Sequence, residues 1–379
     1  MPSQEFRLFT PGPLNTSLPV RQAAGRDIGS RSPAAIHLSA RLREEILNIA
    51  GCDTAWSAVP LSGSGTFAVE AMLCSLPAAD DHLLIIENGV YSARMVEICR
   101  IHAIPHSVLM LPPHQGIDLA QVERALTQTP RVTHIAAVHF ETGLGVINDI
   151  DGLTQLANRY GCQLLIDAIS TFGVLPLDYS APSLCAVALS ANKCLHGLPG
   201  IAFVLVRKRV LATHVTPRTL SLDIRAQAGA LERDGQWRFT PPLQIMLALK
   251  QAIDEYRQQG GRHARYQAYS QRMAHLLGGM ARLGFGPVIQ PPFRAPLIVT
   301  LAPDPGIPCD IDTLNAFLFQ RGLVIYPTKH STVNSFRIGV MGELSLQDID
   351  DLLAAFAEFT AQAALAPLPP DPLSLRPAL

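Results

Sequence analysis

Net charge is almost absent from this chain, which carries 30 basic and 31 acidic side chains in 379 residues. A formal net charge of −1 excludes the basic surface that binds nucleic acid or an anionic membrane. No apolar run approaches the roughly 20 residues of a membrane-spanning helix, and the start, "MPSQEFRLFTPGPLN", lacks the features of a signal peptide. We therefore expect a soluble, cytoplasmic protein with a small-molecule partner.

Ordered cysteine spacing is also missing. The seven cysteines are widely scattered, and neither a Cys-x-x-Cys pair nor a Cys/His cluster of zinc spacing occurs. An odd number of scattered cysteines indicates free thiols in a reducing compartment. No metal site is expected.

Apolar residues make up 48% of the chain, enough for the core of one or two globular domains. From about residue 55 to 250, short apolar runs alternate with segments of helical periodicity. The run "LLIIE" (83–87) precedes "YSARMVEICRIH", and "THIAAVHF" (133–140) precedes "DGLTQLANRYG". Alternation of strand and helix predicts an α/β fold with parallel strands and crossover helices.

The pattern changes in the last third of the chain. Around residues 251–280 it predicts one long polar helix, followed by strands and helices of a smaller α+β domain. The final residues, "LAPLPPDPLSLRPAL", are Pro-rich and predict a flexible tail. The predicted divisions are an N-terminal arm (1–16), a large cofactor-binding domain (17–258), a small C-terminal domain (259–364) and the tail (365–379).

Lysine is the scarcest basic residue, which narrows the search for an amine nucleophile. The four lysines are Lys193, Lys208, Lys250 and Lys329. Lys193 stands between two runs that are typical of buried strands, "CAVALS" and "GIAFVLV". Most lysines at a strand end reach the solvent, but Asn192 and the nearby Gly197 and Gly200 favour a buried amine. A buried lysine has a lowered pKa and forms Schiff bases with carbonyl compounds.

Two further polar groups follow predicted strands, at the sheet edge where open parallel sheets bind ligands. Ser64, Gly65 and Thr66 precede a helix, whose first N–H groups and dipole favour an anion. The segment matches neither the P-loop nor the dinucleotide-binding pattern. Asp167 ends the run "QLLI", where a carboxylate needs a cation or hydrogen-bond donors. A plain turn and a helix N-cap are the alternative interpretations.

These three features together fit one cofactor, pyridoxal phosphate. The loop would bind the phosphate, Asp167 would keep the pyridine nitrogen protonated, and Lys193 would hold the aldehyde carbon as a Schiff base. The sequence therefore predicts a pyridoxal-phosphate enzyme.

The same residues, in the same order, resemble the class V pyridoxal-phosphate-dependent aminotransferases. The similarity runs from "FTPGPL" (9–14) to about residue 364, through "SGSGTFAVEA" (62–71), "IDAISTFG" (166–173), "SANKCLHGLPG" (190–200) and "FRIGVMG" (336–342). The resemblance implies fold type I: a large domain with a mainly parallel seven-stranded sheet between helices, plus a smaller C-terminal α+β domain.

The resemblance also implies roles for individual residues. Lys193 and Asp167 would be catalytic. Cofactor contacts would come from Ser64, Gly65, Thr66, Tyr91, Thr142, Asp167, Asn192, Lys193, Trp237 and Thr240. Thr240, with Trp237, would reach the phosphate bound by the neighbouring subunit of a homodimer. Arg337 would clamp the carboxylate of the keto acid, with a structural ion pair as the alternative, and Gly12 and Arg31 are candidates for a phosphonate.

Within the family, the similarity is to members that move the amino group of 2-aminoethylphosphonate to pyruvate, giving phosphonoacetaldehyde and L-alanine by ping-pong kinetics. The alternatives are an alanine:glyoxylate or serine:pyruvate type of aminotransferase, a pyridoxal-phosphate-dependent carbon–sulfur lyase, and a non-enzymatic ligand-binding protein. Cys194 is a poor nucleophile for a lyase because its backbone adjoins Lys193. The segment Glu141–Gly145 replaces a Thr-rich loop of these members, so the cofactor residues match better than the donor site.

Overall fold

The computed structural model describes residues 5–129, 131–307, 309–328 and 334–365. The strands are β1 (Arg7–Leu8), β2 (Trp56–Gly63), β3 (Leu83–Glu87), β4 (His106–Met110), β5 (His134–Val138), β6 (Phe140–Glu141), β7 (Val146–Ile147), β8 (Gln163–Asp167), β9 (Leu184–Ser190), β10 (Gly200–Arg207), β11 (Phe285–Pro287), β12 (Ile298–Pro303), β13 (Leu323–Val324), β14 (Tyr326–Pro327) and β15 (Phe336–Gly339). The helices are α1 (Leu18–Ala23), α2 (Pro33–Ala50), α3 (Gly65–Ser75), α4 (Val90–Ile101), α5 (Leu119–Gln128), α6 (Ile150–Tyr160), α7 (Lys208–Leu211), α8 (Ile224–Asp234), α9 (Leu243–Gln258), α10 (Gly261–Arg282), α11 (Ile311–Gln320) and α12 (Leu346–Leu365).

A seven-stranded sheet of order β2-β10-β9-β8-β5-β3-β4 organises the first part of the chain. Strand β10 runs antiparallel to both its neighbours, and the remaining neighbours pair in parallel. The prediction of a mainly parallel seven-stranded sheet is confirmed. Strands β5 and β9 are buried along their whole length, which explains their continuous apolar runs. Edge strand β4 is only half-buried and carries no such run.

Helices cover both faces of this sheet, because alternate strand residues point to opposite sides. Leu164 and Ile166 of β8 pack into one apolar cluster with helices α2, α5, α6 and α9. Leu165, between them, packs into a second cluster with α3, α4 and α8. Gly161 ends α6 in the left-handed conformation (φ 68°), which glycine adopts without a steric penalty.

A smaller antiparallel sheet of order β11-β12-β15-β14 follows α10. Its core joins the apolar faces of α10, α11 and α12, with Phe336, Leu276 and Phe356 fully buried. The N-terminal strand β1 pairs in parallel with β13 in a separate two-stranded sheet, and the Gly339 N–H of β15 donates to the Phe9 carbonyl oxygen (3.0 Å) in the arm. The arm is closely packed there, since a Cβ on Gly339 would lie 2.5 Å from the carbonyl oxygen of Thr10.

The prediction of one long helix around residues 251–280 was wrong. Two helices occupy this stretch, and the chain turns between them at Gly260 and Gly261, both with positive φ (97° and 68°). Two consecutive glycines adopt this conformation without a Cβ clash. We keep the boundary between a large and a small domain at residue 258, the end of α9, as a proposal.

Two further predictions concern the C-terminal tail and membrane-spanning helices. Apart from Leu365, the predicted flexible tail (365–379) lies outside the described residues. Within the described ranges, no helix combines the length and hydropathy that crossing a bilayer requires.

Candidate active site

Polar residues follow the ends of β2, β8 and β9 and line one cavity of about 180 Å³ at the edge of the large sheet. Its wall includes eight of the residues that the sequence analysis assigned to a cofactor: Ser64, Gly65, Thr66, Tyr91, Thr142, Asp167, Asn192 and Lys193. The structure therefore gathers residues from positions 64 to 193 at one point. The carboxyl ends of neighbouring strands meet at this edge, which is why separate motifs converge.

A second cavity of about 580 Å³ adjoins the first, because Tyr91 and Arg94 line both. Arg337 and Tyr326 from the smaller sheet and Gly12 from the N-terminal arm line this second cavity. The site thus combines a narrow cavity on the large sheet with a wider one between the two sheets and the arm.

Lys193 is half-buried and lies three residues after the end of β9. Its Nζ donates a hydrogen bond to the carbonyl oxygen of Pro11 in the N-terminal arm. Burial lowers the pKa of the Lys193 amine to about 8, while the neighbouring Cys194 and Asp167 raise it. Gly12 (φ 130°) leaves room for this side chain, since any Cβ there would collide with Nζ. The amine therefore loses its proton at a lower pH than an ordinary lysine, and the neutral amine is the form that reacts with carbonyl carbons.

Asp167 is the last residue of β8 and is 6% exposed. One carboxylate oxygen accepts a hydrogen bond from the Ile169 N–H (2.9 Å). Burial, together with the nearby charge of Glu141, raises the pKa of Asp167 to about 7. A cation in the cavity would reverse this shift and keep the carboxylate ionised. This is the setting in which a carboxylate stabilises a protonated ring nitrogen.

The segment Ser64–Thr66 begins helix α3 and faces the cavity. Ser64 is the N-cap, but its hydroxyl makes no capping hydrogen bond. The first N–H groups of a helix have no acceptor within the helix. The Phe67 N–H donates to the Ser64 carbonyl oxygen (3.0 Å), which leaves the Ser64 hydroxyl and the first two N–H groups of α3 to bind an anion. The phosphate role of this segment stays a prediction.

Glu141 is a structural residue of the site that the sequence analysis did not identify. Its buried carboxylate accepts hydrogen bonds from the Tyr91 N–H (3.2 Å), the Ser92 N–H (2.7 Å) and the Ser92 hydroxyl (2.8 Å). These contacts cap the start of α4 and fix the position of Tyr91. An acid directly after the apolar run of β5, in "VHFETG", was the signal, but its partners lie about 50 residues away in the sequence.

Arg337 enters the second cavity from β15 and is 9% exposed. Its Nη1 donates to the Thr142 carbonyl oxygen (3.0 Å), and its Nε has no partner among the described residues. Burial lowers the pKa of the guanidinium. No carboxylate in the described ranges pairs with it, so the alternative of a structural ion pair finds no support there. Carbonyl oxygens of Thr142 and Pro327 accept from its two terminal nitrogens, and the Nε beside the cavity, unpartnered among the described residues, suits an anionic ligand.

Three predicted residues lie outside both cavities of this chain. Arg31 and Thr240 are exposed, and the Trp237 indole donates to the Ser39 hydroxyl (2.9 Å) beside the core. Gly12 lines the second cavity, although its N–H donates to the Thr10 hydroxyl (3.2 Å). The roles given to Arg31, Trp237 and Thr240 stay predictions.

Residues 18–304 match the family model for aminotransferase class-V. The chain belongs to this family of pyridoxal-phosphate-dependent aminotransferases, so the predicted family, enzyme class and cofactor are confirmed. It is 38% identical to 2-aminoethylphosphonate–pyruvate transaminase 2 of Burkholderia lata, covering 93% of this chain and 94% of the relative. It is 36% identical to the 2-aminoethylphosphonate–pyruvate transaminase of Pseudomonas aeruginosa, covering 93% and 95%.

Solved structures share the fold. The alanine–glyoxylate aminotransferase from Nostoc sp. superposes with a TM-score of 0.87 at 21% identity, covering 94% of this chain and 96% of that one. The pyridoxamine-pyruvate aminotransferase from Mesorhizobium loti gives a TM-score of 0.86 at 24% identity, covering 96% and 94%. The predicted fold type is confirmed.

The residues present fit pyridoxal phosphate. The cavity offers a buried amine with a lowered pKa, a buried carboxylate with a raised pKa, and an uncapped helix start. The carboxylate and the helix start suit the two charged parts of the cofactor, its ring nitrogen and its phosphate.

The lowered pKa of Lys193 predicts how cofactor uptake depends on pH. Because only the neutral amine bonds to a carbonyl carbon, the rate of covalent uptake should rise with pH and level off above about pH 8. Stopped-flow absorbance of the cofactor-free protein mixed with pyridoxal phosphate measures this rate.

A parallel series with pyridoxal, which lacks the phosphate, separates ionisation of the amine from that of the phosphate. A midpoint near the ordinary lysine pKa of about 10.4 would show that the amine is not desolvated.

Proposed function

We propose that this enzyme transfers the amino group of 2-aminoethylphosphonate to pyruvate, forming phosphonoacetaldehyde and L-alanine. The observation that carries the donor is the identity of 34–38% to transaminases of that name over more than 90% of each chain. The buried, acid-free guanidinium of Arg337 supports an anionic substrate of either kind.

Lys193 acts as the general base and acid in this proposal. Pyridoxal phosphate supplies an electron sink that stabilises negative charge on the substrate carbon bonded to nitrogen. The Lys193 Nζ removes the proton from that carbon, and its lowered pKa suits proton transfer near neutral pH. Asp167 would hold positive charge at the ring nitrogen, and Tyr91, whose N–H donates to Glu141, would lie against the ring.

The two anionic substrates would use Arg337 in turn. Its planar fork suits the carboxylate of pyruvate and the oxygens of a phosphonate. Gly12 contributes space beside Lys193, and Arg31 remains our proposal for a second phosphonate contact.

Substituting Arg337 by glutamine should raise the KM for pyruvate roughly 100-fold, because the carboxylate loses its charged partner in a buried site. The KM for the donor should rise as well. The effect is measured from initial rates of L-alanine formation at varied pyruvate concentrations.

Arg337→Lys keeps the charge without the planar fork and should recover part of the affinity. The matched control is Arg282→Gln, an exposed arginine at the end of α10. Unchanged KM values for both substrates in Arg337→Gln would remove this residue from substrate binding.

We also propose a homodimer in which Thr240 and Trp237 approach the partner's cofactor site. Two large apolar side chains, Phe67 (47% exposed) and Phe239 (49%), adjoin the predicted phosphate contacts Thr66 and Thr240. We assign both side chains to the surface that the partner would cover. Sedimentation at the mass of a single chain would contradict this proposal.

A cytoplasmic location is proposed from the thiols. All seven cysteines are free, and five of them are buried. Free thiols persist in a reducing compartment. Fractionation of the source cells that recovered the protein outside the cytoplasm would contradict it.

The donor is tested by three parallel reactions of the purified enzyme. The pairs are 2-aminoethylphosphonate with pyruvate, L-alanine with glyoxylate, and L-serine with pyruvate. The proposal predicts the highest kcat/KM for the first pair, whose rate is measured as the formation of L-alanine. A higher value for either other pair would assign the protein to the alanine:glyoxylate or serine:pyruvate type.

A further inference from the structure

Arg94 lines both cavities of the site, and the sequence analysis gave it no role. It lies on α4, three residues after Tyr91, so that both side chains share one face of the helix. Its guanidinium carbon stands 5.0 Å from the centre of the Tyr91 ring. The arginine is therefore placed beside the ring that we assign to the cofactor.

Arg94 also contacts the anion-binding segment. Its Nη1 donates a hydrogen bond to the Thr66 hydroxyl oxygen (3.0 Å). A hydroxyl that accepts from a guanidinium keeps its own proton for another acceptor. The Arg94 guanidinium thus lies beside the start of α3, where the Ser64 hydroxyl and the first two N–H groups of the helix can bind an anion.

The charged side chains that line the first cavity also favour an anion beside Arg94. Among the described residues that line it, only Arg94 and Lys193 are cationic side chains. The Lys193 amine donates a hydrogen bond to the Pro11 carbonyl oxygen, and it is uncharged when it reacts with a carbonyl carbon. The permanent positive charge at the Thr66 end is therefore the Arg94 guanidinium.

We propose that Arg94 binds the phosphate group of pyridoxal phosphate, acting together with Thr66 at the start of α3. A phosphate carries nearly two negative charges at neutral pH, and a guanidinium offers it charge-assisted hydrogen bonds. Arg94 is in this assignment a binding residue for the cofactor.

The test compares two ligands that differ only in the phosphate. Cofactor-free wild type, Arg94→Gln and Arg94→Lys are titrated with pyridoxal phosphate and with pyridoxal, and binding is followed by absorbance. Arg94→Gln should weaken binding of pyridoxal phosphate roughly 10- to 100-fold and binding of pyridoxal less than about twofold. Arg94→Lys, which keeps the charge, should fall between wild type and Arg94→Gln.

Arg100→Gln is the matched control, because Arg100 is an exposed arginine in the last turn of the same helix. Inorganic phosphate supplies a second probe. It should compete with pyridoxal phosphate for the wild type and the Arg100 variant and compete less well in Arg94→Gln.

Three results would overturn the assignment. Equal weakening of both ligands would show that Arg94 acts by positioning Tyr91. Unchanged binding of both would leave the phosphate to the helix start alone. Unchanged cofactor binding with weaker binding of 2-aminoethylphosphonate would place Arg94 in the donor site.

Discussion

Substitution of Lys193 by alanine should lower the rate of amino transfer about 10⁴-fold, because it removes the group that moves the substrate proton. The protein should also lose its covalent link to the cofactor while keeping much of its non-covalent affinity, since Asp167 and the start of α3 are unchanged. Single-turnover absorbance and reduction with borohydride measure the two effects. Borohydride should fix the cofactor to the wild type but not to the variant.

Lys250→Ala is the matched control for this experiment. Lys250 lies on α9, where it pairs with Asp254, and it lines neither cavity. Its loss should leave both readouts unchanged. If Lys193→Ala retained a tenth of the wild-type rate, or if borohydride still fixed the cofactor, another amine would carry the reaction.

Substitution of Asp167 by asparagine should lower the rate roughly 10²- to 10³-fold. Asparagine keeps the size of the side chain but removes the charge, so that a protonated ring nitrogen loses its buried partner. In the enzyme without cofactor, protonation of Asp167 also makes cofactor binding depend on pH. Burial raises the pKa of Asp167 to about 7, so the carboxylate protonates as the pH falls through that value and binds a cation less well below it.

Rates and cofactor affinity measured between pH 6 and pH 9 test this prediction. In the Lys193→Ala background, where the amine no longer adds its own pH dependence, non-covalent affinity for the cofactor should weaken on the acid side of about pH 7, and adding Asp167→Asn should remove that dependence. Asp151→Asn, an exposed aspartate in the first turn of α6, is the control. Wild-type rates in Asp167→Asn would show that the ring nitrogen needs no buried anion.

The strand-end residues of the site could be predicted because each one directly follows the apolar run that identifies its strand. Buried parallel strands give uninterrupted apolar runs, and the polar residue that ends each run marks the binding edge of the sheet. Ser64, Asp167 and Lys193 were found in this way, and the structure places all three on one cavity.

Residues whose partners are remote could not be predicted by that route. Glu141 is held by Tyr91 and Ser92, about 50 residues away, and Lys193 reaches a carbonyl in the arm, 182 residues away. Arg94 resembles any arginine on the polar face of a helix until its contact with Thr66 is seen.

The direction of strand β10 and the turn between helices α9 and α10 could not be predicted from the sequence either. The apolar run of β10 is the same whether the strand runs parallel or antiparallel, so its reversal followed only from the pairing. The polar pattern around residues 251–280 continues across the turn between α9 and α10, where two glycines change the backbone without changing the periodicity.

The most direct test of the central claim is the absorbance of the pyridoxal-phosphate-loaded enzyme on addition of 2-aminoethylphosphonate alone. The proposal predicts that the absorbance of the aldehyde form of the cofactor disappears, with one equivalent of phosphonoacetaldehyde released per site and recovery of the spectrum on adding pyruvate. An unchanged spectrum with the phosphonate, alongside a full response to L-serine, would contradict the proposed donor while leaving the aminotransferase in place.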